Sequence, residues 1–468
     1  MARRAAGTGL LALSLALAGG AAPAGQTAPL SPFAPLPATV LPASVTNADP
    51  AGAVATYQPG GAISIQNNAF FRTVGSNGRS CLTCHRIADG WGLSAADAQA
   101  LFTRTGGTDP LFRAVDGAVC PTDAVGTGAA QQQAYRLLLS QGLIRIGLPV
   151  PANAQFTVAV QKDPDRCTGT AATGLTSPSA GTVNTYRRPL PATNLIFLSS
   201  IMWDGREPDL AHQALDAALG HEQSGSGPTA AQQTQIVAFE TGLFSAQTSD
   251  AAAGPLAGGG PVALSAQAYA AGVNDSVGRN PTGAPFDPAI FTLYDAWAGL
   301  TAADAVSQAR ASIARGQRVF NTKPITIQAV PGLNDLPGLA TLQGTCGTCH
   351  DTPNVGSRSL PLFMDIGAAD PQPPALDASQ LPVFALTCAG EAQPVLTTDP
   401  GRAMTTGACA DIGKFKVPQL RALAARAPYF HNGAAAGLND VLNFYEGRFN
   451  FRFTAQERAD LINFLNAL

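Results

Sequence analysis

The clearest hydrophobic period lies at the C-terminal end of the chain. Thr454-Ala455-Gln456-Glu457 has the spacing of a capping box, in which a threonine hydroxyl and a glutamate carboxylate satisfy free N–H groups at a helix start. Leu461, Ile462, Leu465 and Leu468 follow at helical spacing. A second stripe, Leu438, Val441, Leu442 and Tyr445, repeats as i, i+3, i+4, i+7, which puts Tyr445 on the buried face of its helix. Weaker helical patterns cover 95–103, 131–141, 229–245 and 303–320. The chain has 49 glycines and 36 prolines, so turns and long connections are expected between these helices. The pattern predicts a mainly α fold with long loops.

The first residues read differently. Arg3-Arg4 precedes an apolar run from Gly9 to Ala18 and the small-residue pattern Ala22-Pro23-Ala24, the layout of a cleavable export signal over residues 1–24. The run is well short of the ~20 residues a membrane span needs, and no later uncharged apolar stretch reaches about 18 residues. The expectation is a periplasmic protein without a span once the signal is removed. Residues 25–65, rich in Pro, Ala and Thr, are expected to form an extended lead segment. A net charge of −3 with only 13% charged residues provides no basic face for a phosphate backbone, which excludes a nucleic-acid partner.

Eight cysteines suit an oxidising compartment. Four of them stand in two identical frames, Cys81-Leu82-Thr83-Cys84-His85 and Cys346-Gly347-Thr348-Cys349-His350. At this composition chance produces such a frame in about one chain in a thousand. C-x-x-C-H is the attachment frame of a c-type haem: the thiols form thioethers to the vinyl groups and the histidine ligates the iron. A zinc site would need four clustered ligands, whereas the frames are 265 residues apart and each carries its own histidine. Two covalently bound haem c groups are therefore expected, one on Cys81, Cys84 and His85, the other on Cys346, Cys349 and His350. The remaining cysteines form one close pair in each half, so Cys120–Cys167 and Cys388–Cys409 are the expected disulfides, although four cysteines allow three pairings. One haem unit per half divides the chain into an N-terminal haem domain, 66–300, and a C-terminal one, 301–468.

Function turns on the sixth iron position. An iron with two protein ligands passes electrons, whereas one with an open face activates a small molecule. Beyond the proximal histidines the chain has His212, His221 and His431, and its methionines are Met1, Met202, Met364 and Met404. Met404, 54 residues after His350, lies at a distance compatible with the methionine ligand of an electron-carrier cytochrome.

Both haem frames, together with Met202-Trp203-Asp204-Gly205-Arg206, Gly413-Lys414-Phe415-Lys416-Val417-Pro418-Gln419-Leu420-Arg421 and Ala427-Pro428-Tyr429-Phe430-His431-Asn432-Gly433, resemble the bacterial di-haem cytochrome c peroxidase family, which includes the MauG-type oxidases. The resemblance runs in order from about residue 65 to the C-terminus, with insertions around 105 to 180, 245 to 285 and 322 to 343. It implies that the N-terminal haem meets peroxide, that the C-terminal haem takes in electrons or stores charge, and that Trp203 lies between them. It places the second haem's sixth ligand at Tyr445, where a hard anionic phenolate would lower the potential; a packed aromatic and Met404 are the alternatives. Over the peroxide haem it implies a glutamine at Gln213 and a glutamate twenty residues after Trp203. There the chain departs: it reads His221-Glu222-Gln223, so either Glu222 supplies the carboxylate after a one-residue shift or His221 does the proton work. The family also binds calcium through an asparagine and two carbonyls. Those positions count to Arg188, Arg426 and Pro428, and a cation at 188 leaves calcium doubtful, with the arginine standing in its electrostatic role or pairing with a haem propionate.

The expected function is reduction of hydrogen peroxide to water with electrons from a small cytochrome c or cupredoxin. One alternative is a MauG-like oxidase acting on a protein or organic substrate through Trp203. The other is a non-catalytic electron carrier, which a permanent His221 ligand would favour. The oligomeric state, a homodimer included, is left open by the sequence.

Overall fold

Helices Ala305–Thr322 and Ala455–Asn466 pack at a separation set by Gly316, where a Cβ would lie 2.0 Å from the Asp460 carbonyl oxygen. Asp460 then accepts from Ser312 at 2.6 Å and from Arg315 at 2.8 Å. Ile313, Phe320, Leu461, Phe464 and Leu465 bury their side chains along the seam, joined by Leu438 and Leu442 from helix Leu438–Phe449. The capping box forms as expected, with Thr454 Oγ1 accepting from the Glu457 N–H and Glu457 accepting from the Thr454 N–H.

This computed structural model describes residues 39–167, 176–177, 181–256, 272–301 and 303–468. The expected export signal and the start of the lead segment lie outside the described residues. Among the described residues no helix is long and apolar enough to cross a membrane.

The expectation of a mainly α fold does not hold. Helix makes up 29% and strand 18% of the described residues, which contain six sheets of two to four strands. Helices do form near the predicted stretches, at Ala95–Thr105, Gly128–Ala134, Arg136–Gln141 and Ala230–Thr241. The last stops earlier than its pattern suggested, because Phe244–Asp250 is a strand. That strand pairs antiparallel with Gly52–Tyr57, which pairs with Ser44–Asp49, so the end of the lead segment is built into a four-stranded sheet. Phe156–Lys162 pairs with Val383–Cys388, and Ile144–Pro149 with Thr182–Arg187. Runs of two residues such as Ile63–Ser64 are too short to show a period of two, and a partner more than two hundred residues away, as for Phe156–Lys162, leaves no local trace. Both expected disulfides are present, Cys120–Cys167 and Cys388–Cys409.

Candidate functional site

The four cysteines outside the disulfides are those of the two C-x-x-C-H frames. Ser80 and Thr345 begin the frames with the same local device: Thr83 Oγ1 accepts from the Ser80 N–H at 3.0 Å and Thr348 Oγ1 from the Thr345 N–H at 2.9 Å. Each frame then turns once, so that both thiols and the histidine share one side.

In both frames the histidine Nδ1 meets a backbone carbonyl, Trp91 O at 3.2 Å for His85 and Gly356 O at 2.5 Å for His350. A carbonyl only accepts, so Nδ1 is the donor and Nε2 keeps the lone pair that a metal takes. Gly356 can turn its carbonyl inward because its φ is +72°, where the glycine avoids Cβ strain. Burial pulls both imidazoles down to about 4, so each is neutral, the ligating form. Paired free thiols beside an imidazole with its Nε2 available fit a covalently attached haem in both places.

The first frame opens into a cavity of about 590 Å³ lined by Cys81, Cys84 and His85. The same cavity is lined by Trp203, Gln213, His221 and Glu222. Helix Leu210–Gly220 explains the grouping: Gln213, Ala217 and His221 are spaced i, i+4, i+8 and present one face to the cavity. His212 points away and pairs with Asp209 at the surface at 2.8 Å. His221 Nδ1 lies 2.6 Å from Asp116 Oδ2. The buried Glu222 carboxylate accepts from the Val74 N–H at 2.9 Å, and its other oxygen stands 3.9 Å from Cys81 Sγ. Glu240, which sequence reasoning did not single out, also lines the cavity; burial pushes its carboxyl up to about 8, and its buried Oε2 has no hydrogen-bond partner.

Trp203 sits at the cavity wall with its indole N–H donated to the Arg188 carbonyl at 2.8 Å. Its ring stands edge-on to the His431 imidazole, centroids 6.2 Å apart, and His431 stacks on Phe415 at 4.0 Å. The neighbouring Asp204 is fixed by Arg187, whose guanidinium bridges Asp204 and Asp399 with contacts of 2.6 Å to each.

At the second frame Tyr445 lies close to Cys346 and Cys349: burial first, then these thiols, push its hydroxyl well above the usual tyrosine range. The Tyr445 ring stacks on Phe449 and meets Phe430 and Phe444. Met364 Sδ is 3.9 Å from Cys349 Sγ in the same buried cluster, a neighbour that no local spacing from His350 suggested. Met404 packs elsewhere, in the core with Phe384, Leu386 and Ile412.

The position that the resemblance gives to calcium does not suit it. The buried Arg188 guanidinium donates to the carbonyls of Pro428 and Leu93, so an oxygen that a metal would need is already taken by a cation. Burial lowers this guanidinium to about 10, which leaves it charged at neutral pH.

No protein-family model matches the chain. Over 69 residues, 12% of this chain and 18% of the relative, it is 38% identical to the cytochrome-c peroxidase IdrP1 of Pseudomonas sp. (strain SCT). Over 153 residues, 28% of this chain and 39% of the relative, it is 31% identical to the cytochrome-c peroxidase IdrP1 of Denitromonas iodatirespirans. The matches thus span 18% and 39% of the length of these curated relatives. Among solved structures, a MauG-like protein associated with microbial copper homeostasis aligns over 86% of this chain and 87% of that chain, with 14% identity and a TM-score of 0.38. Over the matched stretches the chain is thus similar to cytochrome-c peroxidases.

Proposed function

We propose that the chain is an exported, periplasmic di-haem peroxidase, with an N-terminal haem domain over 66–300 and a C-terminal one over 301–468. It takes electrons singly from a small cytochrome c or cupredoxin and reduces hydrogen peroxide, H2O2 + 2 e− + 2 H+ giving two waters. The observation that carries this reading is the cavity at the first frame, where Gln213, His221, Glu222 and Trp203 share one space with His85. Bound haem supplies the redox chemistry of peroxide reduction and the storage of oxidising equivalents. The chain supplies orientation and protons. His85 is held in the ligating tautomer by the Trp91 carbonyl. Gln213 offers an amide to a polar guest, and either His221 or Glu222 moves the proton between the two peroxide oxygens. Trp203 gives electrons an aromatic stepping stone on the cavity wall. Tyr445 is the second frame's candidate for the sixth ligand, and Arg188 replaces a divalent cation.

Spectroscopy of the purified ferric protein tests the reading together with peroxide turnover by reduced cytochrome c. One high-spin and one low-spin haem with turnover supports it; two haems that stay low-spin on reduction make the protein an electron carrier. A MauG-like oxidase is the second reading, favoured by Tyr445 beside Cys346 and Cys349. Peroxide consumption that oxidises an organic or protein substrate, with none by cytochrome c, would select it.

A further inference from the structure

We propose that Asp116, held by Arg79, positions His221 as the proton carrier of the first cavity; this assignment rests on the peroxidase reading for its substrate.

The hydrogen-bond geometry fixes the tautomer. His221 Nδ1 and Asp116 Oδ2 are 2.6 Å apart, and a carboxylate has no proton to give, so Nδ1 donates and Nε2 is the ring nitrogen at which a proton is taken up or released. Burial would raise the Asp116 carboxyl, but the hydrogen bond from His221 and the charge of Arg79 outweigh it and hold the group below the ordinary carboxylate range. Asp116 is therefore an anion, suited to stabilise an imidazolium when Nε2 takes a proton.

The support behind the pair is rigid. Arg79, only 1% exposed, donates to Asp116 Oδ1 at 2.5 Å, to the Pro110 carbonyl at 2.8 Å and to the Leu111 carbonyl at 2.7 Å. The His221 carbonyl accepts from Asn77 at 2.8 Å and from Arg79 at 3.3 Å. Arg79 directly precedes Ser80 and the first haem frame, so one short segment sets both the attachment turn and the placement of His221. The side chain of His221 remains 33% exposed while lining the cavity, which lets it exchange protons with water.

Glu222 is employed differently. One of its oxygens is engaged by the Val74 N–H and the other faces Cys81 Sγ, and Ser76 N donates to its backbone carbonyl at 3.0 Å. Its contacts tie the 74–76 segment down, so its carboxylate is engaged by backbone N–H groups of that segment instead of being backed by a second ionisable group as His221 is by Asp116.

The overall reaction, H2O2 + 2 e− + 2 H+ giving two waters, balances with Nε2 relaying a proton from one peroxide oxygen to the other, which leaves as the first water. The donor supplies the two electrons, and solvent the two protons that turn the remaining oxygen into the second water.

The test uses Asp116→Asn in the haem-loaded protein. Its amide can donate to Nδ1 and so favours the tautomer with the proton on Nε2. Cyanide association with the ferric protein reports a cavity base whether or not peroxide is the substrate, because HCN must lose its proton to bind as the anion. We expect cyanide association to slow by at least about tenfold and peroxide kcat/KM to fall roughly a hundredfold, with KM for the electron donor unchanged. Asp116→Glu should recover part of both, and nitrogen NMR of the His221 ring should show the tautomer change. His221→Gln, at a partly exposed position, should slow cyanide similarly and serves if Asp116→Asn does not fold. Wild-type cyanide kinetics in either variant that folds would overturn the proposal, as would a His221→Gln protein whose first haem turns from low-spin to high-spin. Slowed cyanide binding in a protein that never turns over peroxide would sink the peroxidase reading alone.

Discussion

Trp203 donates its indole N–H to the backbone carbonyl of Arg188 at 2.8 Å, so the aromatic ring on the cavity wall is locked to the strand end that also carries the buried guanidinium. Trp203→Phe keeps an aromatic ring but loses this bond, which should cost about 1 kcal/mol of stability. If the indole carries electrons between the two halves, peroxide turnover falls by roughly tenfold or more, the scale of a 1.4 kcal/mol loss in the transition state. Cyanide binding at the first haem stays as in the wild type. Stopped-flow measurement of both rates on one preparation checks the pair; an equal fall in both would mean that the substitution reshapes the cavity.

Two side chains compete for the second haem. Tyr445 lies beside both thiols of the frame, and Met364 Sδ is 3.9 Å from Cys349 Sγ. Tyr445→Phe removes only the hydroxyl, and the ring keeps its contacts with Phe430, Phe444 and Phe449. The low-spin signal of the second haem should change and its potential should rise. Met364→Leu conserves volume and should cost less than about 1.5 kcal/mol, leaving that signal in place. Paramagnetic resonance of both variants checks this, and the reverse outcome would assign the ligand to methionine.

The parts of the chain that were legible in advance are those written in local spacing. Two C-x-x-C-H frames, the Thr454/Glu457 capping box and the close pairing of Cys120 with Cys167 and of Cys388 with Cys409 each lie within a few tens of residues. Gln213 and His221 reach one cavity because a helix spaces them, and that too is periodic. What could not be read depends on pairing across the fold. Asp116 is 105 positions from His221, and Arg187 is 212 from Asp399. An aspartate followed by a glycine, as at Asp116-Gly117, looks like any turn residue, and nothing near it indicates a histidine. One strand pair was missed for the same reason, since Phe156–Lys162 finds its partner in Val383–Cys388. Glu240 sits on a helix whose pattern marks it as polar, yet the fold buries it.

Arg188 makes a prediction about metals. Its guanidinium donates to the carbonyls of Pro428 and Leu93 in the interior, and burial leaves it charged, with its value lowered only to about 10. A chelator should therefore leave both Tm and peroxide turnover unchanged, and added calcium should do nothing. Arg188→Met keeps much of the side-chain length but strands two buried carbonyls, at a cost of about 3 kcal/mol. Thermal unfolding with and without chelator checks both statements. A wild-type Tm that falls on chelation would mean that a divalent cation binds in spite of the arginine.

Glu240 makes the sharpest pH prediction. Its ordinary value of 4.5 is pushed up to about 8 by burial in the wall of the first cavity, so the folded protein holds a proton that the unfolded chain releases. A raised folded value favours the native state fully below about pH 4.5, and this contribution is lost as pH rises from there through about 8. The slope is at most about 1.4 kcal/mol per pH unit for one proton. Glu240→Gln has nearly the shape of the protonated acid and no charge to bury. Its stability should match the wild type near pH 4.5 and exceed it increasingly towards pH 8, by a few kcal/mol in all. Urea midpoints of the two haem-loaded proteins at several pH values, with the difference taken at each, cancel every other titrating group. A difference that stays flat across this range would show that Glu240 ionises freely in the folded protein, and its unpartnered oxygen would then have to be reached by solvent.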